Sequence, residues 1–201
     1  MQKLSEVLKN AGREEYDLRG LQFSGEDVPE LSLGAVDLKS CRFSHCTFTD
    51  CRFSGTGFED VVFEGCDLSG SSFLDCGMKK LSFVDCRMMG TVFSGCIING
   101  GEFTRCGARY MNITACTLKF IRISQCNLSG GSLARCNCPK TTVEKCNFTR
   151  CDFSGASLGG FDFSDSNIEG ATWSLEQLKN VTVNSTQALD FAKLLGLNIV
   201  L

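Results

Sequence analysis

The chain has 201 residues, 43% of them apolar, and a formal net charge of −3. That is enough apolar material for one domain, and the small net charge gives no strong electrostatic pull toward nucleic acid or a membrane surface. Only 2 Pro stand against 21 Gly, which argues against a Pro-rich linker.

The opening residues, MQKLSEVLKNAG, contain no apolar stretch of signal-peptide length. No run approaches the roughly 18 apolar residues of a membrane-spanning helix. A soluble, cytoplasmic protein is expected, and the Asn-x-Ser/Thr triplets at Asn112, Asn127 and Asn147 are read as composition rather than glycosylation sites. Residues 3–12 place Leu4, Val7, Leu8 and Ala11 on one helical face, with Gly12 as C-cap. Residues 1–15 are therefore expected to form an N-terminal capping helix.

From Leu18 to Trp173 every fifth residue is Leu, Phe, Met, Ile, Val, Trp, Ala or Cys, without a slip. A helix repeats at 3.6 residues and a strand at 2, so neither accounts for a period of five. Stacked coils that turn a corner in each repeat do, and the reading is an all-β solenoid. A second inward position lies two residues earlier, and there Cys, Ser, Thr, Ala and Gly prevail, for example Cys41, Cys46, Cys51 and Thr56. A large side chain alternating with a small one fills a narrow tube. More than half of the 21 Gly stand at the last place of the repeat, where a corner demands unusual backbone angles.

The 14 Cys follow the same register, apart from Cys138, and no Cys-x-x-Cys pair occurs, so a zinc ribbon is excluded. Neither a metal nor a cofactor is expected. A buried thiol behaves as a small hydrophobe, and an apolar interior raises its pKa.

The stretches CDLSGSSFLDC, CNLSGGSLARC and CDFSGASLGGF resemble the pentapeptide-repeat proteins. The resemblance covers 16–173. It implies a right-handed quadrilateral parallel β-helix with 20 residues per coil, about eight coils and a height of roughly 38 Å. Cys46, Cys66, Cys86, Cys106, Cys126 and Cys146 should then stack in one column, and Cys76, Cys96, Cys116 and Cys136 in the opposite one. Side chains one coil apart keep Cβ atoms near 4.8 Å, beyond the ~3.5–4.5 Å of a disulfide, so free thiols are expected.

Some places fit poorly. Glu26 occupies an inward slot with Pro29 after it, which predicts local distortion of the first coils. Ala108 and Cys138 are undersized centres, where the tube should narrow or borrow Met111. After Trp173 the period ends. Ser174-x-x-Gln177 reads as a capping box opening a short helix to about Lys179, and Thr186 as the cap of a second helix that Gly196 terminates. Residues 174–201 are expected to form a helical C-terminal cap. Its apolar residues Leu189, Phe191, Leu194, Leu195, Leu197 and Ile199 make a candidate dimer interface. This ending is similar to the terminal module through which topoisomerase-protecting members of the family dimerise.

No catalytic arrangement emerges. Gly155-Ala-Ser157-Leu-Gly159 matches a nucleophile elbow, but Leu158 and Gly155 are ordinary members of the repeat. The sole His, His45, lies between five and six coils away, about 27 Å, far outside the reach of a triad. The chain is read as a non-enzymatic scaffold.

Between Asp50 and Glu102 there are eight acids and four bases. Between Phe103 and Cys151 eight bases (Arg105, Arg109, Lys119, Arg122, Arg135, Lys140, Lys145, Arg150) face one acid, Glu144. Tyr110 and Phe120 occupy corner places usually given to Gly or a charge. With Phe120 and Lys140 in one column and Arg109 and Tyr110 at the previous corner, the residues Arg109, Tyr110, Lys119, Phe120, Arg122 and Lys140 form a candidate face for a protein partner. The resemblance adds a second option, a DNA mimic that binds gyrase or another topoisomerase and protects it from inhibitors. A near-neutral chain with a basic belt and no loops between repeats departs from that branch. Nucleic-acid binding by the belt ranks third, disfavoured by the overall charge.

Overall fold

The computed structural model describes residues 3–14, 17–28, 30–194 and 196–198. The body is a parallel β-solenoid in which each residue pairs with the one 20 places on. Phe53 pairs with Phe73 and Phe73 with Phe93, while Leu38, Phe58, Met78, Ile98 and Leu118 form another such line. One nine-stranded and one five-stranded sheet result. Four strands, Gly57–Glu64, Gly77–Val84, Ile97–Thr104 and Thr117–Ser124, run eight residues and wrap around a corner.

The regular ladder from Leu18–Arg19 to Thr142–Glu144 makes about six turns, fewer than the eight coils expected. Beyond Glu144 the stacking continues as single bridges, Asn147 to Asn167, Asp152 to Thr172 and Asp162 to Thr182. There the faces give way to tight turns such as the one closed by Cys151 N–H on the Phe148 carbonyl at 2.9 Å. A turn at every corner leaves too few extended residues for a strand.

The centre of the tube is aromatic. Phe43, Phe63, Phe83 and Phe103 stack with centroids 5.1, 5.2 and 5.0 Å apart, and Phe53, Phe73 and Phe93 at 4.9 and 4.7 Å. The two columns meet edge to face, as in Phe83 against Phe93 at 6.1 Å. Each such pair contributes about 0.5–1.5 kcal/mol beyond its burial.

All 14 Cys are free and buried. They do more than fill space. Thiols of the main column from Cys66 on donate to the carbonyl of the central residue 23 positions back: Cys66 to Phe43 and Cys86 to Phe63 at 3.3 Å, Cys106 to Phe83 and Cys126 to Phe103 at 3.4 Å. Thr91 and Thr141 make the same bond from the same slot, to Leu68 at 2.8 Å and to Leu118 at 2.6 Å. Where the slot holds Cys or Thr, its donor thus satisfies the second lone pair of a buried carbonyl. Burial pushes the Cys51 thiol up to about 11 and those of Cys138 and Cys151 up to about 12.

Glu26 does not break the ladder: its carbonyl accepts from Thr47 N–H at 2.8 Å, and its side chain is half-exposed. Pro29 lies outside the described residues. Ala108 is buried with Met111 beside it, the Met111 N–H closing the turn on the Ala108 carbonyl at 3.1 Å.

Both ends carry helices. Helix α1 (Leu4–Glu14) buries Leu4, Val7, Leu8 and Ala11 and runs two residues past Gly12. A 3₁₀ turn, Leu175–Leu178, precedes helix α2, Ser185–Leu194. The cap of α2 is Asn184 rather than Thr186. Asn184 Oδ1 accepts from Gln187 N–H at 3.0 Å, and Gln187 Oε1 accepts from Asn184 N–H at 2.9 Å. Gly196, at φ 74°, ends the helix. Among the described residues no helix is long and apolar enough to cross a membrane.

Candidate interaction surfaces

The corners decide which side chains meet. Almost every fifth residue from Gly20 to Gly170 has a left-handed backbone, whether it is Gly or not. Tyr110 and Phe120 stand at φ 59° and 56°, a region that large side chains rarely enter. In that conformation the side chain leaves the tower at its edge and leans over the corner 20 residues on. A Cβ at Gly130 would stand 2.7 Å from Tyr110 Cε1, and one at Gly65 would stand 2.5 Å from His45 Nδ1. At these two corners the Gly one coil later leaves room for the overhanging ring.

At the Phe120 corner two cations cover one ring. Lys119 Nζ lies 5.2 Å and Lys140 Nζ 5.0 Å from the Phe120 centroid, while the ring remains 48% exposed. Neither lysine has an ion-pair partner among the described residues. Each contact contributes about 0.5–1 kcal/mol at an exposed site. Lys140 is placed by the ladder itself: Phe120 N–H donates to the Pro139 carbonyl at 3.1 Å, so residue 140 caps residue 120.

The other expected members of this face stand elsewhere. Arg122 turns onto the next side and is held by Glu144 at 2.7 Å. Arg109 lies over Tyr110, with Cζ 5.3 Å from the ring and Nη2 3.3 Å from the hydroxyl. The corner directly before Phe120 is Ala115, at φ 54°, and Tyr110 is one corner further back. On a four-cornered coil the two aromatics mark opposite edges, so the six residues form two groups rather than one. Counting corners in the sequence would have shown this.

Three acids in the first half are neutralised one coil on, Glu59 by Lys79 at 2.7 Å, Asp67 by Arg87 at 3.1 Å and Asp85 by Arg105 at 2.7 Å. The Arg105 guanidinium holds the Asp85 carboxyl below its usual range. Ser157 lies on the ladder, its N–H on the Cys136 carbonyl at 2.8 Å, and the neighbouring Leu158 is buried. Among the described residues no cluster of His, Cys, Asp or Glu is arranged to hold a metal ion.

At the C-terminal end, Phe191 is half-buried and packs edge-on against Trp173 at 5.5 Å, so it serves the chain's own core. Leu189 is half-exposed and Leu197 is 57% exposed. Leu195, Ile199 and the side chain of Leu194 lie outside the described part. An open groove of about 900 Å³ separates α2 from the last coil, floored by Ile168, Trp173 and Phe191.

A tube of five-residue repeats with inward Phe and Cys and left-handed corners defines a class of parallel β-solenoid. The chain belongs to the pentapeptide-repeat family: the model of the pentapeptide repeat region matches residues 56–132, and that of eight-copy pentapeptide repeats matches 32–70 and 146–172. Among curated proteins no sequence matches. Similar solved structures include a trypsin-treated QnrB1, a plasmid-mediated fluoroquinolone resistance protein, at 22% identity and TM-score 0.43, covering 92% of this chain and 97% of that one. Another is HetL, involved in heterocyst differentiation regulation in the cyanobacterium Nostoc sp. strain PCC 7120. It is 16% identical with TM-score 0.36, covering 90% of this chain and 95% of that one.

Proposed function

We propose that this chain is a non-enzymatic scaffold that binds another protein through its outer wall, at the corner built by Lys119, Phe120 and Lys140. One observation carries the reading: an exposed aromatic ring lies within about 5 Å of two ammonium groups that no carboxylate among the described residues neutralises. Such a corner suits an acidic segment with an apolar side chain at its centre, the ring supplying area and the lysines charge. Because the wall is rigid β-structure, little ordering entropy is lost on docking. Fourteen free thiols suit a reducing compartment such as the cytoplasm.

The test is affinity capture from the native host with immobilised wild-type protein beside Phe120→Ala/Lys140→Ala. A partner retained by the first and lost by the second, and released by salt, supports the reading. Equal retention by both overturns it.

A topoisomerase partner reached through a duplex-like acidic surface is the second reading. Pairs such as Glu59–Lys79 and Asp67–Arg87 interrupt the negative charge with cations, unlike the unbroken phosphates of a duplex. A gyrase supercoiling assay with purified protein decides it: no inhibition, and no rescue from a quinolone, removes this option. End-to-end pairing through the C-terminal segment is a further proposal, supported by the exposure of Leu197.

A further inference from the structure

The edge that carries Tyr110 has a property independent of the Phe120 corner. Beyond Glu30 at its foot, its corner residues, one per coil, run Asp50, Gly70, Gly90, Tyr110, Gly130, Arg150 and Gly170. Beside the first charge, two residues on, stands Arg52; beside the second stands Asp152. The edge therefore presents Asp50-Cys-Arg52 near one end and Arg150-Cys-Asp152 near the other, the same motif with its charges exchanged. The two lie five coils apart, roughly 24 Å. None of the four side chains has an ion-pair partner among the described residues.

The backbone treats both ends alike. Asp50 and Arg150 both stand at φ 55°, and each leans over a Gly one coil on, Gly70 and Gly170. Between them the edge has one projection and one notch. The Tyr110 ring projects, 56% exposed, over Gly130. At Gly90, one coil below Tyr110, an added Cβ would meet nothing within 4 Å, and the adjacent Met89 is 56% exposed.

We propose that this edge is an interface between two copies of the chain, packed side by side and antiparallel. A twofold axis across the edge between Gly90 and Tyr110 sends each residue to the same column of the partner at mirrored height. Asp50 then faces Arg150 of the second copy and Arg52 faces Asp152, twice over, while each Tyr110 ring enters the notch at Gly90 beside Met89. An isologous contact requires such self-complementarity, with opposite charges at equal distances from the axis. A chance surface has no reason to supply it. The Phe120 corner, on the opposite edge, stays open on both outer sides of the pair.

The test exchanges charges without changing their sum. A first variant, Asp50→Arg/Arg52→Asp, sets like charges against each other across the axis, and so does a second, Arg150→Asp/Asp152→Arg. Arg already occupies a corner of this conformation at 150, so the exchanges add no backbone strain; circular dichroism checks the fold. Sedimentation equilibrium at up to about 100 µM protein reads the association. The expected result is a wild-type dimer, each variant weakened at least about tenfold, and a mixture of the two variants that pairs as a heterodimer. Tyr110→Ala should weaken the wild-type dimer in the same way. A monomeric wild type overturns the proposal. So does a dimer that both exchanges leave intact, which would place the contact at the C-terminal end.

Discussion

Gln177 Nε2 donates to the carbonyl of Phe153, twenty-four residues back, at 2.6 Å, and Gln187 Nε2 does the same to Phe163 at 2.9 Å. Each amide also reaches a second carbonyl, Ala156 at 3.3 Å and Ser166 at 2.8 Å, while its Oε1 accepts from the backbone N–H three residues before it. Two glutamines thus end a ladder that would otherwise leave carbonyls without donors. Both occupy the third position after a Ser or Asn cap, so a helix-starting device also closes the tube.

Replacing Gln177, which is buried, with Ala should destabilise the C-terminal end by about 1–3 kcal/mol, the cost of stranding a buried polar group. Gln187→Ala should cost less, because that side chain is half-exposed. Stability in a solenoid is a sum over neighbouring coils. Hydrogen exchange should therefore accelerate first in residues 150–173 and leave the Phe53–Phe93 column protected. Uniform acceleration would contradict this account of the cap.

The thiol-to-carbonyl bonds predict an order among substitutions at Cys86. Ser keeps a donor toward Phe63 and should be tolerated best, as Ser and Thr already are at Ser71 and Thr91. Ala loses the bond and leaves space, and Val fills the space without a donor; each should lower stability by about 1 kcal/mol or more. Chemical denaturation of the three variants gives the ranking, and Val exceeding Ser would refute it.

Alkali should weaken the fold. A thiol whose folded pKa is raised holds its proton more tightly in the native state than in the unfolded chain. Its contribution is complete below the ordinary value of 9.0 and is lost as pH rises toward the folded value, about 11 for Cys51 and 12 for Cys151. Thermal midpoints should therefore fall between pH 9 and 11, and a thiol reagent should find the 14 Cys only after unfolding. Rapid reaction with the native protein at pH 8 would refute the burial argument.

Two neighbouring glycines should behave differently. Gly100 stands at φ 77° with a Cβ at ordinary contact distance, 4.0 Å, from the Lys80 backbone N, so Ala there costs about 1–2 kcal/mol of backbone strain. At Gly101, φ 135°, a Cβ would overlap the Leu81 carbonyl oxygen, a backbone atom that cannot step aside. Gly101→Ala should exceed about 3 kcal/mol and disturb the ladder between Leu81 and Ile121. Equal unfolding midpoints for the two variants would show that the overlap is relieved without cost.

The architecture was legible because its cause is periodic. An inward side chain every fifth residue implies a corner every fifth residue, and the spacing of Phe43 to Phe103 announces their columns in the sequence itself. The small slot was legible as small, but its donor role was not. The bond from Cys66 to Phe43 joins residues 23 apart, and only the path of the backbone brings that carbonyl within 3.3 Å. The placement of Tyr110 and Phe120 on opposite edges was legible, because ten residues are half of a coil of twenty.

By itself, then, the sequence determined the inward pattern, the corners and the identity of the side chains at each edge, since hydrophobic burial acts on the period alone. Tertiary structure decided which charges neutralise one another, that Lys119 and Lys140 share one ring, that Asn184 and Gln187 close the end, and that Tyr110 leans over Gly130. Those depend on stacking along the axis, where neighbours are set by the rise between coils and the left-handed corner that aims each side chain, and no window of consecutive residues contains them.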